Sequence, residues 1–90
     1  MEKDLEILRE ILTELKYTPT YIQVILDHLL KELSMSSLDE ITPHFIYSVL
    51  AFEEGRAKAK EIAEYFEDYK KTGTFKTHLQ KMLEKSPWMK

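Results

Sequence analysis

Only five residues in this ninety-residue chain end or bend a helix cheaply: Pro19, Pro43, Gly55, Gly73 and Pro87. Proline lacks the amide that a helix interior needs, and glycine loses more chain freedom than other residues when it is fixed. Such sparse punctuation leaves long segments rich in Leu, Ile, Glu and Lys, which favour helices. No alternating Val/Ile/Thr run and no Asn–Gly or Asp–Gly turn signals a hairpin. The chain is therefore expected to be all-α, a single domain over residues 1–90 built as a compact bundle of about five helices.

Periodicity fills in the segments. Leu5, Leu8, Leu12 and Leu15, with Ile7 and Ile11 beside them, recur at helical spacing and predict a first helix over residues 4–16. Thr18 followed by Pro19 is a start signal: the hydroxyl caps an orphan amide and the proline sits where no amide is needed. The helix that follows carries Ile22, Ile25, Leu26, Leu29, Leu30 and Leu33, an apolar face broad enough to suggest a central position. "SMSSLDE" reads as a linker, with Ser37 capping a short turn over residues 38–41. Thr42–Pro43 repeats the start signal, and Gly55 either ends the third helix or bends it into the next. The fourth helix offers Ala59, Ile62, Ala63 and Phe66 to the core, with Tyr69 at its margin, and Gly73 ends it. A fifth is expected over residues 74–85, with Phe75, Leu79, Met82 and Leu83 on one side and Trp88 folded back as a lid.

The windows 17–26 and 41–50 share Thr, Pro, Ile and Leu, but no third copy follows, so a common capping rule explains them better than a solenoid.

Composition narrows the chemistry. With 43% hydrophobic and 32% charged residues, the chain can bury a core and is not expected to be disordered. Cysteine is absent, which removes disulfides and thiolate sites and fits a cytoplasmic location. No apolar run approaches the roughly 20 residues of a membrane-spanning helix, so no membrane partner is expected. The Glu/Lys-rich, glycine-poor composition also suits a thermophile.

His28, His44 and His78 fall on three different helices, without the i, i+4 spacing that aims two imidazoles at one metal. Asp27 and His28 diverge by about 100° around a helix. Glu53–Glu54 and Glu67–Asp68 read as solvated faces, and the two glycines are too isolated to cradle a phosphate. Nothing therefore suggests an enzyme, a metal, a cofactor or a small-molecule substrate. The aromatics Tyr17, Tyr21, Phe45, Tyr47, Phe52, Tyr65, Phe66 and Tyr69 follow core spacing, which predicts packing rather than base stacking.

Charge is distributed unevenly. Residues 1–45 carry four basic and nine acidic side chains; from Tyr69 onward six Lys face the single Glu84. In that basic region Glu61, Ile62 and Ala63, then Thr74, Phe75, His78, Leu79 and Met82, resemble the helix-turn-helix of ArsR-like regulators, without the wing. The resemblance implies that the last helix lies on DNA. A second stretch, with Leu38, Ile41, Thr42 and Ser86–Pro87, is similar to the helical core-binding domain of tyrosine recombinases. It implies a helical DNA clamp, without the catalytic domain and so without recombinase activity.

These readings converge on a small, non-enzymatic DNA-binding protein, a candidate transcriptional regulator. Lys70, Lys71, Thr74, Lys76, Thr77, Gln80, Lys81 and Lys85 would contact double-stranded DNA, and the acidic N-terminal helices would form a homodimer through surplus Leu and Ile. The alternative is a helical adaptor that binds another protein and no nucleic acid.

Overall fold

The computed structural model describes residues 2–75, in which four helices follow one another: α1 (Glu2–Glu14), α2 (Pro19–Met35), α3 (Pro43–Glu54) and α4 (Arg56–Thr72). The described residues contain no strand, and the architecture is all-α. The expected fifth helix and the Trp88 lid lie beyond the described residues.

Two helices begin in the same way. The Thr18 hydroxyl accepts from the Tyr21 amide at 3.2 Å and the Thr42 hydroxyl from the Phe45 amide at 3.1 Å, each with proline next in the chain. The likeness of windows 17–26 and 41–50 is this shared cap.

Two helix ends also match, though no glycine marks them. At the end of α1 the Tyr17 amide donates to the Leu12 carbonyl and the Lys16 amide to that of Thr13, with Lys16 left-handed at φ 72°. At the end of α2 the Leu38 and Ser37 amides reach the Leu33 and Ser34 carbonyls, with Ser37 at φ 55°. Both patterns are Schellman closures, which satisfy carbonyls that the helix end would leave open. The expected short turn over 38–41 is therefore absent: Ser37 terminates α2 instead of capping a new helix. Likewise α1 stops at Glu14 rather than Lys16, because Lys16 has left the helical region.

Gly55 both ends α3 and starts α4. Its φ of 87° and ψ of 154° lie in a region that side-chain-bearing residues avoid, so a single residue turns the chain back on itself. The cleft formed by Thr42, Pro43, Phe66 and Lys71 shows that the start of α3 returns to the end of α4. These two helices approach more closely than any other pair. Small side chains on the packed faces allow it: Ala59 and Ala63 are buried and Ala51 packs against the core.

Packing runs in a ring, α1 on α2, α2 on α3, α3 on α4 and α4 on α1. Each helix thus has two neighbours, and α2 is no more central than the rest. Ile7, Leu8, Ile11 and Leu12 of α1 meet Ile25, Leu29, Ile46, Leu50 and Phe66 in one core. The Leu and Ile expected to be surplus on α1 and α2 are therefore largely spent inside the fold, with Leu5, Leu15 and Leu30 half-buried.

Candidate interaction face

On α2, Tyr21, Val24, His28 and Met35 recur every three, four or seven residues and so share one stripe. On α3, Phe45, Val49 and Phe52 do the same. The ring sets these stripes side by side, and α2 and α3 have the sparsest close approach of the packed pairs. Between them lies a trough of about 490 Å³ bordered by His28, Glu32, Ser36, Phe45, Val49 and Phe52.

Of the exposed large apolar residues, Phe52 borders this trough, while Tyr21, Val24 and Met35 lie on the α2 stripe and Leu38 follows α2. Phe52 is 95% exposed, Met35 69% and Val24 51%, with Leu38 and Tyr21 also exposed. Spacing assigned Phe52 and Tyr21 to packing, and the structure corrects this for Phe52: its ring stands in water on the outer lip of the trough. Burying a phenylalanine contributes roughly 1.5–3 kcal/mol, and this fold gains almost none of it at position 52.

Polar contacts hold the two helices in register. His28 Nε2 lies 3.5 Å from Glu53 Oε1 across the trough. At one end, the hydroxyls of Tyr17 and Tyr21 both donate to the Glu54 carboxylate, and their rings stack at 5.8 Å. Burial, together with the Glu54 charge and hydrogen bond, pushes the Tyr17 phenol up to about 12; the Glu54 hydrogen bond, then burial, raises that of Tyr21.

The residues expected to touch DNA are divided. Lys70 is engaged within the bundle: its Nζ lies 2.8 Å from Asp4 Oδ1 and 5.6 Å from the Phe66 ring centre. Lys71 is exposed at the cleft between α3 and α4. Thr74 is exposed, with its carbonyl accepting from the Thr72 hydroxyl at 3.0 Å. Lys76, Thr77, Gln80, Lys81 and Lys85 lie beyond the described residues. Residues 2–75 carry nine basic and fifteen acidic side chains, a net charge of −6.

His28 and His44 sit on different helices, and His78 lies beyond the described residues. Among the described residues no group of three or more His, Cys, Asp or Glu side chains could hold a metal ion. No helix there is long and apolar enough to cross a membrane.

No family model matches this chain, and no curated protein or solved structure matches it either.

Proposed function

We propose that this chain is a helical interaction module that docks a protein partner on the face shared by α2 and α3. The observation that carries the reading is Phe52, almost wholly solvent-exposed on the border of the trough that Phe45 and Val49 also line. A phenylalanine that the fold leaves in water on the border of a groove suits a binding surface, because aromatic side chains dominate the energetics of such surfaces. The net charge of −6 over residues 2–75 favours a protein over a polyanion as the ligand of this face.

The test is a photo-crosslinking side chain at position 52 and, as a control, at the exposed position 60 of α4, in the cells that make the protein. Discrete adducts from position 52 alone are expected. Equal adducts from both positions, or none, would remove the reading.

The duplex-DNA reading keeps one supporting observation, the six Lys against one Glu from Tyr69 onward. It predicts binding that weakens steeply between about 50 and 200 mM salt and is reduced further by Lys76→Glu/Lys81→Glu. Failure to bind duplex DNA at the lower salt would end it.

A further inference from the structure

We propose that the trough between α2 and α3 receives the basic stretch following Phe75 of a second copy of this chain. The inference rests on the protein-docking reading above and names the partner.

Charge selects the occupant. Among the described residues, the side chains bordering the trough include Glu32 and Glu53 but no Lys or Arg. Two such faces meeting symmetrically would set carboxylate against carboxylate, so pairing of like faces is disfavoured. Residues 76–90 have the opposite character, with four Lys and one Glu. They also carry Leu79, Met82 and Leu83 at the three- and four-residue spacing of one helical face. An amphipathic segment of that kind is what a groove between two helices accepts.

Length agrees. The α2 border of the trough runs from His28 to Ser36, about 12 Å at helical rise, room for the two turns that would carry Leu79, Met82 and Leu83. Phe45, Val49 and Phe52 of α3 line it at the same three- and four-residue spacing, apolar contacts for Leu79, Met82 and Leu83.

Topology favours the second copy. The Phe75 ring packs 4.8 Å from that of Tyr65. Tyr65 lies one turn before Tyr69, whose hydroxyl donates to Glu10 of α1, so Phe75 sits on the α1 side of α4. In a ring of four helices the α4–α1 edge is opposite the α2–α3 edge. The stretch after Phe75 would have to pass round the bundle to reach its own trough, whereas a neighbouring molecule meets no such obstacle.

The experiment is sedimentation of the full chain between about 1 and 100 µM, the range in which modest interfaces are half-formed. Concentration-dependent association is expected, weakening when salt is raised from about 50 to 300 mM. Phe52→Asp should raise the dissociation constant about tenfold or more. Glu32→Lys/Glu53→Lys and Lys81→Glu/Lys85→Glu should each do the same, and the four substitutions together should restore association. Phe52 is solvent-exposed, so an unchanged melting temperature is the check that Phe52→Asp still folds. A monomer at every concentration, or association indifferent to Lys81→Glu/Lys85→Glu, overturns the proposal. A monomer that crosslinks from position 52 to a different protein overturns self-docking while leaving the docking face intact. A monomer with no crosslink specific to position 52 overturns both.

Discussion

Lys70 ties the last turn of α4 to the first turn of α1. The side chain of its partner Asp4 is only 10% exposed, while that of Lys70 is 45% exposed, so the carboxylate depends on the ammonium more than the reverse. Removing the lysine leaves a nearly buried charge without its counter-ion, and the desolvation cost of that charge remains. Lys70→Ala should therefore lower unfolding free energy by about 1–3 kcal/mol in urea melts, and Lys71→Ala by less than about 0.5 kcal/mol. Asp4→Ala/Lys70→Ala should cost less than the two single changes added together. An equal effect at Lys70 and Lys71 would show that the ion pair contributes nothing. No local pattern could have announced this pair, because its members are 66 positions apart and meet only when α4 closes the ring on α1. The same limit applies to Phe52. Its spacing from Phe45 and Val49 puts it on an apolar stripe, but spacing cannot tell a stripe that is covered from one that is presented. That depends on how far apart α2 and α3 stand, which is a property of the assembled bundle.

Helix boundaries show where sequence signals are strong and where they are silent. The Thr–Pro starts of α2 and α3 were legible because the cap and the missing amide are properties of adjacent residues. The glycine positions were legible too, since Gly55 and Gly73 have positive φ and close α3 and α4. The ends of α1 and α2 were not, because Lys16 and Ser37 adopt left-handed conformations normally given to glycine. Backbone geometry therefore sets opposite expectations at these junctions. Gly55→Ala meets no atom within 4 Å, so its effect is pure backbone strain, a loss of about 1–3 kcal/mol. Lys16→Gly relieves a left-handed side-chain-bearing residue and should gain up to about 1 kcal/mol. Paired thermal melts check both signs, and a neutral Gly55→Ala would mean that α3 and α4 are not joined by this sharp turn.

Across the whole molecule, tyrosine hydroxyls bonded to carboxylates close two seams of the ring. Tyr17 and Tyr21 join the start of α2 to the end of α3 through Glu54, and Tyr69 joins α4 to α1 through Glu10. In all three the phenol is raised above its ordinary value. For Tyr17 burial leads and Glu54 adds to it, whereas for Tyr21 and Tyr69 the carboxylate hydrogen bond comes first. A raised phenol means that the folded chain holds its proton more tightly than the unfolded chain does. The contribution to stability is therefore fully present below the unfolded value of 10 and is lost as pH climbs through the folded value, about 12 for Tyr17. The bundle should accordingly keep its melting temperature as pH approaches 10, then lose it steeply towards pH 12. Tyr17→Phe/Tyr21→Phe separates this cause from general charge repulsion at alkaline pH, because both proteins share the repulsion and only the wild type carries the two bonded phenols on Glu54. The variant should be less stable at neutral pH yet show a shallower alkaline decline in circular-dichroism melts. Parallel declines in the two proteins would mean that the α2–α3 seam is held by apolar packing alone.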